Sequence, residues 1–372
     1  MRILILNWQD IKNPQAGGAE VHLHEIFSRV AGLGHEVTLF CSSFPGAPAR
    51  ETIDGIRVVR EGGRYFFNFR VFFRYVTRLR KERYDVVIED MNKIPFFTPL
   101  YVRRPLHFII HHLFDRSIFL ETSFPIALYV YLLERAAVSL LRSRQISTFV
   151  VSPSTREEML AKGLREGQMD IVNNCVDHAR YTPDPSRRST TPLIGYFGRL
   201  KKYKAVDHLL LAFARLAAER PDLRLVVIGE GDHRPALEAL ARSLGIEAQV
   251  TFTGFVSETE KVAWLRRVWF LANTSSKEGW GLTVIEANAC GVPVVASDVP
   301  GLRDAVRDGE TGLLYPFGDV EKLTANIRLL LEDGQLRNRL GAAAQEWAAT
   351  FDWGLVARKT AGLLEKSLRR EP

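Results

Sequence analysis

Residues 182–204 read TPDPSRRSTTPLIGYFGRLKKYK. The first eleven carry three prolines among Ser, Thr, Asp and Arg, a composition that suits a linker. Leu193–Tyr196 then starts an aliphatic and aromatic run that reads as a strand, and a cationic loop follows it directly. A fresh strand after a break at mid-chain divides 372 residues into two domains, which that length accommodates.

Working outward, each side shows short continuous apolar runs alternating with helical patterns. Before the break the expected strands are Arg2–Asn7, Glu36–Cys41, Val86–Glu89, Leu106–Ile110, Thr148–Ser152 and Asp170–Val172. The expected helices are Ala19–Leu33, Tyr65–Glu82, Ile126–Leu141 and Thr155–Lys162. After it, strands are expected at Leu193–Tyr196, Leu223–Ile228, Val250–Phe252, Val268–Asn273 and Pro293–Ser297. Helices are expected at Asp207–Arg220, Arg234–Leu244, Glu258–Arg266, Thr283–Cys290 and Val320–Glu332, with a last helix in the tail from about residue 353 to 372. Continuous apolar runs fit parallel strands covered on both faces, so the fold class is α/β. The expected domains are 1–185 and 192–352, with the tail helix returning to the first. They should face each other across a cleft, because open parallel sheets bind ligands at the carboxyl ends of their strands.

Bulk features narrow the function. The apolar share of 46% and charged share of 25% are those of a folded globular chain. The three cysteines, Cys41, Cys175 and Cys290, form no CxxC pair and read as buried small hydrophobes of a reducing compartment. The longest uncharged run is Val37–Ala49, 13 residues with Ser, Pro and Gly, so no membrane span is expected. Nor does the N-terminus read as a targeting signal, since Asn7, Gln9 and Asp10 follow the first apolar run at once. A cytoplasmic location follows as an expectation. Of the net charge of +7, +6 lies in residues 1–190, which points to an anionic surface or acceptor met by that half.

Four stretches carry candidate chemistry. Gln15-Ala16-Gly17-Gly18-Ala19-Glu20 follows the first strand and opens a helix; it reads either as an ordinary turn or as amides offered to phosphate or sugar oxygens. Gly198-Arg199-Leu200-Lys201-Lys202-Tyr203-Lys204 puts cations at a strand's carboxyl end, as a diphosphate requires, although a solvated basic loop looks the same. Lys277-Glu278-Gly279-Trp280-Gly281-Leu282-Thr283-Val284-Ile285-Glu286 sets two carboxylates eight residues apart around a helix start. Such carboxylates can hold vicinal hydroxyls, and the amides of Gly281–Thr283 suit phosphate oxygens. Leu106-His107-Phe108-Ile109-Ile110-His111-His112 ends an apolar strand in two histidines.

In this order these stretches resemble the retaining glycosyltransferases of family 4, with the GT-B fold of two Rossmann-like domains. Further signatures are Gly229-Glu230-Gly231, Phe252-Thr253-Gly254-Phe255-Val256, Ala296-Ser297-Asp298-Val299-Pro300-Gly301 and Asp308-Gly309-Glu310-Thr311-Gly312-Leu313-Leu314. The resemblance implies transfer of a hexose from a UDP- or GDP-linked sugar to a glycan or lipid-linked acceptor, with retained configuration and no metal or other cofactor. Arg199 and Lys204 would bind the diphosphate, Glu278 the sugar and Glu286 the ribose. His111 would contact the sugar, Gly17 and Gly18 would line the donor or acceptor side, and Phe255 and Val256 would sit beside the base. Gly279, Trp280, Gly281, Leu282 and Thr283 complete the donor loop, and the catalytic set is His111, Arg199, Lys204 and Glu278. Two positions depart from the family: Ala205 stands where glycine is usual, so that turn is expected to differ, and Asp304 stands for glutamate.

Arg64–Arg83 reads RYFFNFRVFFRYVTRLRKER, seven cations against one Glu with seven aromatics. Arg70, Arg74 and Arg78 form one helical stripe, and Phe66, Phe69, Phe73 and Val76 another. The segment reads either as an ordinary helix with its aromatics inward or as a contact for an anionic membrane surface. Competing readings are a soluble small-molecule acceptor, a dinucleotide-dependent oxidoreductase, for which no GxGxxG stands at either domain start, and a nucleic-acid binder, for which no recognition motif accompanies the charge. No nucleic-acid partner is expected.

Overall fold

The computed structural model describes residues 1–369 except Arg64, Lys93 and Glu121. Arg64 and the tail beyond Arg369, both parts of stretches singled out above, lie outside the described residues. The chain divides into two compact units, Met1–Asn174 with the segment from Trp353 onward, and Cys175–Asp352. Thr182–Pro192 therefore lies inside the second unit.

The first unit carries β1 (Arg2–Leu6), α1 (Gly18–Gly32), β2 (Glu36–Cys41), β3 (Arg50–Ile53), β4 (Ile56–Arg60), α2 (Phe67–Thr77), β5 (Val86–Asp90), β6 (Leu106–Ile110), α3 (Phe124–Arg144), β7 (Ser147–Val150), α4 (Pro153–Ala161) and β8 (Met169–Ile171). Its sheet has the order β3-β4-β2-β1-β5-β6-β7-β8. All pairs are parallel except the β3–β4 hairpin, which sequence periodicity did not reveal. Asp54 and Gly55 turn that hairpin with φ of 45° and 84°. An Asp-Gly pair is the favoured chemistry for such a two-residue turn, and this signal was there to be read.

The second unit carries β9 (Leu193–Phe197), α5 (Val206–Ala217), β10 (Arg224–Ile228), α6 (Arg234–Ser243), β11 (Val250–Gly254), α7 (Glu258–Arg267), β12 (Phe270–Asn273), α8 (Leu282–Ala289), β13 (Val294–Ser297), α9 (Leu302–Ala305), β14 (Gly312–Tyr315), α10 (Val320–Glu332) and α11 (Gly334–Ala349). Its six strands run in the order β11-β10-β9-β12-β13-β14, all parallel. The strand order reverses between β9 and β12, and open parallel sheets bind ligands at the carboxyl ends of the strands at such a point. The final helix α12 (Trp353–Leu368) packs on α1, and its Ser367 hydroxyl lies 2.9 Å from His107 Nε2.

Each core lies between its sheet and its helices. In the second unit Ile194, Tyr196, Leu209, Phe213, Val227 and Phe270 are buried in one cluster. In the first, Trp8, Phe40, Phe67 and Phe96 form a ring cluster beside Leu4 and Val87. The first core also encloses a charge: Arg60 is fully buried and donates to both oxygens of Asp10 at 2.7 and 2.8 Å. All three cysteines are free and buried.

Helix α2 departs from the reading with its aromatics inward, and its charge is less free than the count suggested. Its inward face is Phe67, Val71 and Tyr75, while Phe66, Phe69 and Phe73 point to solvent, the first 76% and the last 60% exposed. Arg74 is paired with Glu61 and Arg78 with Glu82, so the basic stripe is in part neutralised by acids from outside the helix. By length and composition α3, 21 residues, could cross a bilayer, contrary to the sequence expectation. Its interior Glu134 is buried, and the carboxylate accepts the Phe114 and Asp115 amides at 2.7 Å each.

Candidate functional site

The clearest constellation stands at the carboxyl ends of β9 and β12 in the second unit. The chain leaves β9 through Gly198 and passes beneath Gly229-Glu230-Gly231. A Cβ at Gly229 would lie 2.0 Å from the Gly198 oxygen, and one at Gly231 2.1 Å from the Leu200 oxygen. Two backbones touch there, which is why that triplet needs glycine at both ends. The Leu200 amide donates to the Glu230 carbonyl at 2.8 Å and fixes the loop.

Within that loop Arg199 is exposed, and no ion pair holds it among the described residues. Lys204 ends a single 3-10 turn, Lys202–Lys204, that is tied to the segment after β12. The Thr274 hydroxyl donates to the Lys204 carbonyl at 2.9 Å, and the Ser276 amide to the Tyr203 carbonyl at 2.8 Å. Lys204 Nζ is thereby aimed at Glu278 and forms an ion pair with Oε1, which also accepts the Ser275 hydroxyl at 2.8 Å. Burial works against the ammonium, but the Glu278 carboxylate overrides it and holds Lys204 above its ordinary pKa. The predicted diphosphate cation and the predicted sugar carboxylate are thus paired with each other.

Ala205 follows with φ 46° and ψ 44°, the left-handed conformation. The turn that was expected to differ for want of glycine keeps the glycine geometry, at a strain of about 1–2 kcal/mol.

Beyond Glu278 the loop closes on α8. Gly281 is the N-cap and no side chain caps the helix, so its first-turn amides at Leu282 and Thr283 stand at a positive helix end. Gly301 seats the loop from behind: its φ is 81°, and a Cβ there would meet the Glu278 oxygen at 2.4 Å. Trp280 departs from its expected role, since its ring is buried against Phe351 with centroids 5.1 Å apart. It braces the loop from the core side, while Gly279 and Gly281 contribute backbone alone.

Glu286 lies about one turn into the helix and is 6% exposed. It accepts Lys261 Nζ at 2.9 Å and the Tyr181 hydroxyl at 3.1 Å. Burial pushes its carboxyl up, Lys261 pulls it back, and Glu258 adds to the rise. Tyr181, Glu258 and Lys261 were missed in the sequence. The readable signal was the capping box Ser257–Glu260, which starts α7 and so projects Lys261 one turn in. Phe255 follows β11 and is 86% exposed, with Val256 half-buried beside it. The second unit thus joins Lys204 to Glu278 with Arg199 in the same loop, while Glu286 forms a separate group with Lys261, Tyr181 and Glu258.

In the first unit His111 follows β6 and is buried. Its Nε2 lies 3.1 Å from Oδ1 of Asp90, the last residue of β5, and its ring meets His22 edge-on at 5.0 Å. His22 is driven down to about 3 by burial and by His111, and its Nε2 lies 2.9 Å from the Val172 carbonyl. Asp90 was missed because Val86–Glu89 was closed one residue early; an acid at the carboxyl end of an apolar strand was the available clue. Its neighbour Glu89 is fully buried and raised to about 7, first by burial. Gly17 caps α1, but its amide donates to Glu20 Oε2 at 2.8 Å. That leaves one fewer free amide than expected, whereas Gly18 has open space where a side chain would stand.

Residues 16–180 match the family model described as Glycosyltransferase Family 4, and residues 179–347 match that described as glycosyl transferases group 1. The chain is 27% identical over 402 residues to a glycogen synthase of Mycobacterium tuberculosis, which covers 100% of this chain and 96% of that protein. It is 34% identical over 215 residues to a D-inositol 3-phosphate glycosyltransferase of Kribbella flavida, covering 53% of this chain and 51% of that one. The structure of Anabaena HepE in complex with UDP and glucose superposes with a TM-score of 0.80 at 23% identity, over 98% of this chain and 100% of that chain, a likeness of fold.

Proposed function

Since the chain belongs to the family 4 glycosyltransferases and has the GT-B fold, we propose that it moves a hexose from a UDP- or GDP-linked sugar to an acceptor with retention at the anomeric carbon. The observation that carries this reading is the group at the carboxyl ends of β9 and β12: an exposed Arg199, the Lys204–Glu278 pair and the uncapped start of α8. The UDP-bound state of HepE supports a uridine donor.

The chemistry follows from charge. As the glycosyl–phosphate bond breaks, negative charge grows on the leaving diphosphate and the sugar becomes oxocarbenium-like. In this reading Arg199, Lys204 and the α8 amides take that charge, Lys204 once it has left Glu278. In this reading no metal is needed, so turnover should survive EDTA. Lys204 passes from Glu278 to the diphosphate when donor binds, and this frees Glu278 Oε1 for a sugar hydroxyl. Glu286, held by Lys261 and Tyr181, takes the ribose hydroxyls. His111, with Asp90 3.1 Å from its Nε2, is assigned to the transferred sugar. The acceptor attacks from the leaving-group face and passes its proton to the phosphate, so no side chain is named as general base.

A lipid-linked acceptor is the favoured class, with the enzyme peripheral on an anionic membrane. Supporting it, α2 exposes Phe66, Phe69 and Phe73, and α3 exposes Phe124, Ile126 and Leu132. Both helices adjoin the Thr98–Tyr101 turn, where Leu100 is also exposed and Phe72 meets Tyr101 at 5.1 Å. The aromatic surface carries this better than charge does, because Arg74 and Arg78 are paired.

Thermal-shift screening with UDP, GDP and ADP tests the donor, since a ligand of the native state raises Tm. One nucleotide should do so in the wild type and not in Arg199→Ala. Donor turnover with candidate acceptors then tests the reaction; a chain that binds the nucleotide sugar but never cleaves it would overturn the enzyme reading.

A further inference from the structure

A second concave site lies in the second unit, at the opposite end of its strands. A cavity of about 420 Å³ is lined by Arg188, Arg337, Trp269, Cys290 and the prolines at 183 and 293 among others. Trp269 and Pro293 stand just before β12 and β13, whereas the site above follows β9 and β12. The four residues of β12 set the two about 13 Å apart along the strand direction. Gly291 lines the cavity just after α8, and Gly341 of α11 seats against it so closely that a Cβ there would be 2.6 Å from the Gly291 oxygen.

The charge in this cavity is one-sided. Among the described residues no carboxylate lines it. Arg188 and Arg337 do, and among the described residues neither makes an ion pair. Arg188 spends one N–H on the Val268 carbonyl, and Arg337 spends one on the Leu330 carbonyl at 2.5 Å while its guanidinium lies 4.2 Å over the Trp269 ring. Each keeps further N–H groups, and Ser189, Asn338 and Gln345 add polar atoms to the wall. Burial pushes both guanidiniums below their ordinary pKa; Cys290 opposes this at Arg188 while Arg337 adds to it as a like charge, and Asp333, outside the lining, opposes it at Arg337. Two such groups in one half-buried hollow are costly to hold together unless an anion joins them, and the guanidinium fork matches phosphate in geometry.

We propose that this cavity binds a small phosphate monoester, its phosphate held between Arg188 and Arg337 and its organic part against the proline- and tryptophan-lined wall. A volume of this size suits a small-molecule ligand. The site is separate from the donor site and does not depend on the reading given above.

Calorimetric titration of the full chain tests it, with inorganic phosphate and glycerol 3-phosphate at constant ionic strength. The Lys204→Ala variant removes one of the two donor-site cations from the comparison, leaving Arg199. One saturable event should persist in Lys204→Ala and weaken roughly tenfold or more in Arg188→Gln, the loss of one charge-assisted hydrogen bond. Arg337→Lys should weaken it too, because a lysine keeps the charge but loses the fork. Neither arginine touches the donor group, so donor turnover in both variants reports that they are folded. Absence of saturable binding in the wild type, its loss in Lys204→Ala, or wild-type affinity in both arginine variants would overturn the proposal.

Discussion

Replacing Lys204 by alanine is the most informative perturbation, because that one ammonium serves two partners. It pairs with Glu278 in the structure, and in the proposed mechanism it neutralises the departing diphosphate. A hydrogen bond to a charged group contributes roughly 1.5–3 kcal/mol, which corresponds to a factor of about 10 to 150 in rate. Charge on the diphosphate is greater in the transition state than in the bound donor, so the loss belongs mainly in kcat. A second penalty follows. Without the ammonium, Glu278 keeps its carboxylate beside an anionic donor with only the Ser275 hydroxyl to share it. Lys204→Ala should therefore also raise KM, and adding Glu278→Gln should return part of that KM defect without restoring kcat. The double variant should depart from additivity by about 0.5–3 kcal/mol, as for residues in contact. Initial rates of donor consumption, with Tm measured in parallel, give both constants. A folded Lys204→Ala enzyme with kcat within about twofold of the wild type, far short of the expected loss, would refute the argument. The wild-type rate should show no loss of this cation near neutral pH, because Glu278 holds the lysine pKa above its ordinary value.

Three further outcomes concern stability. Ala205→Gly should raise stability by roughly 0.5–1 kcal/mol in denaturant titration, because release from the left-handed strain exceeds glycine's added chain entropy. Arg60→Met should cost about 3–5 kcal/mol, since it leaves Asp10 buried without its cation, and a loss below about 1 kcal/mol would contradict the pairing. Glu89 has a native pKa near 7 against an ordinary 4.5, so both states hold its proton below pH 4.5 and the native state is progressively penalised as pH rises towards 7. Wild-type stability relative to Glu89→Gln should accordingly decline across that window, by an amount on the order of 3 kcal/mol, and a difference independent of pH would count against the shift.

Most of the strands and helices were legible because each writes its period into a short window. Boundaries moved by a few residues, as for β5, which extends to Asp90. The β3–β4 hairpin escaped because its strands are only four and five residues long, too short for periodicity to register; the Asp54–Gly55 turn was the better signal. The candidate site was half legible. Arg199, Lys204, Glu278 and Glu286 stood out by type and position, but Asp90, Tyr181, Glu258 and Lys261 did not, because each matters through a partner distant in the chain.

Residue order alone determined that the chain builds two α/β halves with cations and carboxylates after particular strands, since alternation of apolar runs and turn residues is a local property. Tertiary structure decided which way those groups point. It turned Phe66, Phe69 and Phe73 outward and Trp280 inward, joined Lys204 to Glu278, and left Arg188 and Arg337 facing a cavity without an acid. Such outcomes depend on helix rotation and on segments brought together from far apart in the chain, and no window of neighbouring residues encodes either.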